Sequence, residues 1–318
     1  MANDKYTFRK QILTCEQVLD MIESGTLKFV GQTYGTNSRW SVGLKSLFIF
    51  QLLSGLQVPE LMFDGSSSEW HVMSGERQLI CIRDYVNGKL QLSKEVFNGM
   101  DNMTEYQRLP LTLKRKLLNT EFSVKVLNPG ISPLNRYQIY EMVGASEGSC
   151  DMWAVAGFVF HDGYQQLEMI VDMIIQRYPK VKKNRKQLIR IPLLWMVRND
   201  VDKMTDRVAI YNYSKVDSVL IPLLENFSLN EDAIYELVSA CSFLCEDSSK
   251  TMFSWKSTSL RIVTIILLLR KGIIKSELAS FIAQCHRIWT KKMPQELRTP
   301  SYKMLDKQIG FMSQKLKL

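Results

Sequence analysis

The sequence predicts an α+β protein in which a small mixed α/β domain precedes an all-helical domain. Strand-like patterns of apolar residues are confined to the part of the chain before residue 130. The last of them is followed by Asn128-Pro129-Gly130, residue types that end regular structure. Beyond this point the apolar residues recur almost entirely at helical spacing. We therefore predict one domain over residues 1–130 and a second over residues 131–318.

Caps and turns predict the elements of the first domain. Thr14 suits an N-cap and Gly25 ends the apolar pattern after it, which indicates a helix over 14–24. Gly55 has the same role after a helix over 43–54. The other predicted elements are an extended piece at 27–30, a loop at 31–38, strands at 60–63 and 70–73 around a polar turn at 64–68, a helix at 79–86, a short β segment from Gln91, a helix at 111–118 and a strand at 122–127.

The second domain is predicted to be helical, with its clearest patterns at 165–178, 233–245, 259–271 and 275–290. Its most apolar run, 262–269, is far shorter than the roughly 20 residues that cross a bilayer. The first residues lack the apolar segment of a secretory signal. The six cysteines are scattered, without zinc-ligand spacing, and indicate reduced thiols. We therefore expect a cytoplasmic protein with no membrane partner.

The balance of 41 Lys and Arg against 32 Asp and Glu gives a formal charge of +9. A positive surface favours polyanions such as nucleic acid or nucleotide phosphates, and it equally serves solubility. The densest basic run contains Lys180, Lys182, Lys183, Arg185 and Lys186. We interpret this run as a candidate nucleic-acid contact, and the alternative is a solvated, lysine-rich helix start.

The segment from Trp70 to Leu79 is the most informative part of the chain. A strand that ends at Ser74-Gly75 and passes directly into a helix exposes backbone N–H groups at the positive end of the helix dipole. Arg77 in the first helical turn opposes that dipole, and an anionic ligand would relieve the conflict. The alternative is an ordinary strand-to-helix turn with a solvated arginine.

This run resembles the glycine-containing box of the ParB/sulfiredoxin-like superfamily. It is more closely similar to the D-G-Q-Q-R box of the N-terminal domain of GmrSD-type, modification-dependent restriction endonucleases. The flanking segments that resemble this family, in matching order, are Leu19 to Ile22 with Gly25, Tyr34 with Trp40, Leu44 to Pro59, Leu79 to Val86, and Leu127 to Leu134. The resemblance covers roughly residues 14 to 145 and implies a ParB/sulfiredoxin-like fold for the first domain.

The chain departs from the family where the chemistry lies. Ser74 replaces an acidic residue, Gln78 replaces the closing arginine, and Gln138 stands where an acidic residue is expected. A Gln-Arg pair expected after Tyr34 reads Gly35-Thr36. Active members are thought to bind and hydrolyse nucleoside triphosphates, a reaction that requires carboxylates for a metal and cations for phosphate charge.

The resemblance therefore implies a reduced site. Glu76 and Arg77 are its candidate catalytic residues, and Glu76 is its candidate ligand for Mg²⁺ bound with a nucleoside triphosphate. The candidate phosphate- or nucleotide-binding residues are Ser74, Gly75, Arg77, Gln78, Arg39 and Asn128.

Three classes of function follow. The leading one is a nucleotide- or nucleic-acid-binding protein related to phage or bacterial defence, with weakened or lost hydrolysis. The second is an active metal-dependent nucleoside triphosphatase, or the regulatory subunit of a restriction system whose nuclease is a separate chain. The third is a protein-interaction module on a relic fold.

Overall fold

The computed structural model describes residues 8–30, 40–97, 103–147, 151–198, 217–245, 258–272, 277–298 and 305–318. The chain divides into two compact units, Met1–Val159 and Phe160–Leu318. The described residues form a mixed α+β structure, and all of their strands belong to the first unit. The boundary predicted near residue 130 falls inside this unit, which also includes the two helices that follow it.

Five strands form one mixed sheet in the order β1-β5-β3-β4-β2. β3 is parallel to β5 and β2 is parallel to β4, whereas the β1–β5 and β3–β4 pairs are antiparallel. Asp64, His71 and Leu127 consequently lie side by side at one end of the strands, and Ser74 lies at the other. The strands are β1 Phe8–Thr14, β2 Leu27–Phe29, β3 Leu61–Asp64, β4 Trp70–Ser74 and β5 Glu121–Leu127.

The caps expected from the sequence are present in the first unit. Thr14 forms a capping box with Gln17 at the start of the first helix, and Gly55 ends the second helix with a φ of 77°. The helices of this unit are α1 Cys15–Glu23, α2 Val42–Ser54, α3 Glu76–Val86, α4 Leu111–Leu118, α5 Pro133–Glu147 and α6 Met152–Val159.

The main core of the first unit lies on one face of the sheet. Side chains of β2, β3, β4 and β5 are buried there together with apolar residues of α1 to α4. Because side chains alternate along a strand, Asp64 points to the opposite face from Phe63. That opposite face forms hydrogen bonds with α5 and a stacked ring contact with α6. The strand residues of the main core are Leu27, Leu61, Phe63, Val72, Phe122, Val124 and Val126.

The second unit is helical throughout its described residues. Its longest buried apolar segment, Ile262 to Leu269, lies on a helix that contacts three others of the unit. Within the described ranges, no helix is both long and apolar enough to cross a membrane. The helices are α7 His161–Arg177, α8 Arg185–Leu188, α9 Ile191–Met196, α10 Asp217–Leu220, α11 Glu231–Ala240, α12 Thr258–Lys271, α13 Leu278–Lys291 and α14 Leu305–Leu316.

Two features of the first unit differ from the sequence prediction. The β segment predicted from Gln91 is wrong, because this stretch leads into the 3-10 turn Lys94–Phe97 and pairs with no strand of the described residues. Its backbone bonds instead to a loop carbonyl, that of Thr104, and to the Ser46 hydroxyl. β1, which pairs along its full length with β5, is not predicted from the sequence. The loop predicted at 31–38 lies outside the described residues.

Candidate functional site

The predicted strand–glycine–helix turn is confirmed. β4 ends at Ser74, Gly75 adopts a left-handed conformation with φ 93°, and α3 begins at Glu76. The Gly75 carbonyl accepts the first intrahelical bond, from the Leu79 N–H at 3.0 Å. The N–H groups of residues 76 to 78 precede this bond and have no acceptor within the helix. The cap residue has no side chain that could cap them.

Packing explains why glycine occupies this position. A Cβ atom at Gly75 would lie 2.2 Å from Cδ2 of Leu61, a side chain that is itself fully buried. The positive φ adds a conformational cost for any residue with a side chain. The turn therefore holds bare backbone against the end of β3.

The side chains around the turn have mixed charge. Glu76 is only 5% exposed although it is the first residue of α3, and Arg77 and Gln78 are half-buried. The helix dipole stabilises a carboxylate in the first helical turn. The negative charge of that carboxylate in turn weakens the attraction of the helix N-terminus for another anion. Arg77, the next residue in the sequence, is the cation of this turn. Ser74, Gly75, Glu76, Arg77 and Gln78 thus form one continuous candidate site, which we call the Gly75 turn.

The structure places one predicted ligand, Asn128, away from the Gly75 turn. Asn128 follows β5 at the opposite end of the strands. Ser74 aligns across β3 with Lys125, so Asn128 lies three residues, or about 10 Å, further along and two strands away. The Asn128 side chain instead accepts a 3.5 Å bond from Arg9. Arg39 lies outside the described residues.

The Mg²⁺ proposed for this site would have few protein ligands. No group of three or more His, Cys, Asp or Glu residues that could hold a metal exists among the described residues. Glu76 is a single buried carboxylate. Mg²⁺ bound to phosphates needs only one or two protein carboxylates and keeps several waters. Glu76 is therefore a candidate ligand for Mg²⁺ that arrives with a polyphosphate.

Asp64, predicted to lie in a polar turn, is a buried carboxylate at the other end of the strands. Asp64 is 0% exposed, and each of its oxygens accepts two hydrogen bonds. Oδ1 accepts from the Ser66 N–H at 3.0 Å and the Ser66 hydroxyl at 2.6 Å. Oδ2 accepts from Arg136 Nε at 2.5 Å and the Tyr140 hydroxyl at 3.2 Å. The carboxylate therefore ties the β3–β4 connection to α5.

His71 and Phe158 lie beside this carboxylate. The His71 ring stacks on Phe158 with 4.6 Å between centroids, and the Arg136 guanidinium lies 4.9 Å from the same phenyl ring. Burial lowers the pKa of His71, and Arg136 and Lys28 add to this effect, whereas Asp64 and Glu69 oppose it. The His71 imidazole is therefore neutral in the folded protein near pH 7.

The lowered pKa of His71 predicts a loss of stability in acid. The unfolded chain binds a proton at the ordinary His pKa of 6.5, while the folded chain binds it only at lower pH. Stability therefore decreases as the pH falls below 6.5. We expect the drop in Tm between pH 7 and pH 5 to be smaller in His71→Phe than in wild type. Equal drops in the two proteins would contradict this assignment.

The basic run is exposed on the second unit, but not all of its charge is available. Lys180, Lys182, Lys183 and Lys186 are exposed in the 3-10 turn Pro179–Asn184 and in α8. Arg185 forms ion pairs with Glu168 and Asp172 of α7. Four lysines of this run therefore face solvent, whereas the charge of Arg185 is balanced by the two carboxylates of α7.

Known proteins give no independent indication of function. Comparisons with family models, curated proteins and solved structures each find no match for this chain.

Proposed function

We propose that this chain is a nucleotide- or nucleic-acid-binding protein of the ParB-like, GmrSD type, in which nucleoside triphosphate hydrolysis is weakened or lost. The observation that supports this function best is the Gly75 turn. It combines a glycine backbone, the N-terminus of an 11-residue helix and an arginine in the first turn. Phosphate groups bind where such backbone N–H groups and a cation converge.

The order of elements also favours the ParB/sulfiredoxin-like assignment of the first unit. The resemblance implies an opening helix, a helix closed by glycine and a helix directly after the glycine box, and the apolar pattern predicts two strands before that box. These elements correspond to α1, α2, β3, β4 and α3. The agreement concerns element order along the chain.

Two observations favour binding without efficient hydrolysis. Ser74 and Gln78 lack the charges that the family has at these positions, and Glu76 is the only acidic side chain of the Gly75 turn. The buried carboxylate of Asp64 lies at the opposite end of the strands, where it is bound by Arg136. A catalytic site for phosphoryl transfer needs several charged groups around the transferred phosphoryl.

Arg77→Ala tests the nucleotide site. We expect the affinity for a fluorescent nucleoside triphosphate with Mg²⁺ to fall about 10- to 100-fold, because a hydrogen bond to a charged group contributes about 1.5–3 kcal/mol. Arg83→Ala is the matched control, since Arg83 lies in the last turn of the same helix and pairs with Asp84. Fluorescence anisotropy would measure both variants.

The outcomes separate the three classes of function. Equal losses in Arg77→Ala and Arg83→Ala would contradict the assignment of the Gly75 turn. Absence of any nucleotide or nucleic-acid binding in wild type would leave the protein-interaction module. Phosphate release that depends on Glu76 would instead assign an active nucleoside triphosphatase, whether acting alone or with a separate nuclease chain.

A further inference from the structure

Two arginines of the second unit share one neutral acceptor. Gln187 Oε1 accepts from Arg190 Nη1 at 2.7 Å and from Arg261 Nη1 at 3.1 Å. Arg190 directly precedes α9, whereas Arg261 lies near the start of α12, 71 positions later in the sequence. An amide oxygen orients both guanidinium groups without cancelling the charge of either. We call Gln187, Arg190, Arg261 and Asp217 the two-arginine cluster.

The carboxylate of this cluster, Asp217, pairs with Arg190. Asp217 accepts from Arg190 Nε at 2.7 Å and from Arg190 Nη2 at 2.9 Å, a bidentate pair. Across the described residues, Gln187 is the one hydrogen-bond partner of Arg261, and the Arg261 Nε is buried with no acceptor. Burial and the neighbouring Arg190 both lower the pKa of Arg261. The cluster thus holds two guanidinium groups and one carboxylate.

This arrangement is unfavourable for the protein alone. A half-buried guanidinium loses part of its hydration, and a like charge nearby increases the free-energy cost of burying it. The buried Nε is out of reach of a ligand, so a phosphate oxygen would bind the terminal nitrogens of the guanidinium, whose planar fork matches phosphate geometry. The cation closest in sequence to the cluster is Lys186, which is exposed and whose backbone carbonyl accepts from Arg190 Nη1 at 2.9 Å.

We propose that Arg261 binds a phosphate of a nucleic-acid backbone. Its ligand is a chain of phosphates and not a single nucleotide, because exposed lysines continue from Lys186 through the preceding residues Lys183, Lys182 and Lys180. Arg185 contributes little, because Glu168 and Asp172 already match its charge. The inference rests on the nucleic-acid half of the proposed function and is independent of the Gly75 turn.

Replacing Arg261 by methionine separates a binding role from a structural one. If Arg261 is retained for binding, Arg261→Met raises the Tm, because the variant removes a half-buried charge beside Arg190. The same variant binds a labelled double-stranded oligonucleotide about five- to tenfold more weakly at roughly 50 mM salt. The slope of log affinity against log salt decreases by about 0.9, which corresponds to one phosphate contact.

Lys271→Met is the matched control. Lys271 is an exposed cation of the same helix, ten residues or about 15 Å further along. We expect its loss to leave affinity within about twofold of wild type. If both variants lose the same affinity, the loss reflects the lower net charge of the protein, and Arg261 is not a specific phosphate contact.

Three other outcomes would also contradict the phosphate-binding role of Arg261. A lower Tm in Arg261→Met would assign the residue to the fold, and unchanged affinity would remove it from the interface. Wild-type protein that fails to bind the oligonucleotide would overturn this inference together with the nucleic-acid half of the function. Nucleotide binding at the Gly75 turn is measured separately through Arg77→Ala and would stand.

Discussion

Asp64→Asn is expected to destabilise the first unit by about 3–5 kcal/mol, because it breaks a buried ion pair and leaves the other charge without its partner. Asp64 is fully buried, and the Arg136 side chain that pairs with it is 13% exposed. The asparagine amide would also place a donor where one of the carboxylate oxygens accepts two bonds. Chemical denaturation followed by circular dichroism measures the loss.

Asp172→Asn is the control for this prediction. It makes the same chemical change at an ion pair whose carboxylate is 58% exposed. Pairs of this kind contribute little, because water and salt screen both charges. If Asp64→Asn loses as little stability as Asp172→Asn, the bonds of Asp64 to Arg136 and Tyr140 do not hold β3 to α5.

Gly75→Ala is expected to cost about 2–4 kcal/mol. One part, roughly 1 kcal/mol, comes from a non-glycine residue at φ 93°. The larger part, about 1–3 kcal/mol, comes from overpacking, since the new Cβ would lie 2.2 Å from Leu61 Cδ2. Because the turn must shift to relieve this contact, nucleotide affinity is expected to fall with stability.

The two parts can be measured separately. Gly130→Ala has a similar φ of 87° but no atom within 4 Å of the added Cβ, so it carries the conformational cost alone. Adding Leu61→Val to Gly75→Ala opens space at the contact, and we expect the double variant to lose less than the sum of the two single variants. Strict additivity would contradict the packing explanation.

Local signals predicted most elements of the first unit correctly. The Thr14 cap, the glycine after α2 and the glycine before α3 each act within a few residues, so the sequence shows them directly. β1 gives no such signal, because its apolar and polar residues do not alternate clearly. Its partner β5 lies more than 100 residues away, and only the pairing makes the segment a strand.

The same distinction holds for the candidate sites. The Gly75 turn is contiguous, so its five residues are predictable as a group. The partners of Asp64 on α5 lie 72 and 76 residues later in the sequence. Because local patterns cannot show these partners, Asp64 is predicted to lie in a polar turn, whereas it is the buried last residue of β3. Arg261 meets Gln187 across 74 residues, and no pattern in the sequence singles it out.

Long-range contacts also change the interpretation of charge. The sequence groups Arg185 with the lysines of the basic run, although its charge is matched by α7. Arg261 lies outside any basic run and has no carboxylate partner in the described structure. A surface charge is therefore available to a polyanion only where folding leaves it unmatched.

The most direct measurement of the central proposal is the change in backbone amide chemical shifts when Mg²⁺ and a nucleoside triphosphate are added. We predict the largest changes at Gly75, Glu76, Arg77 and Gln78, because their N–H groups precede or begin α3. The amide of Asn128, at the other end of the strands, should change little. Saturating nucleotide that leaves the four turn residues unshifted, or shifts mainly residues elsewhere, would contradict the assignment of the Gly75 turn as a nucleotide site.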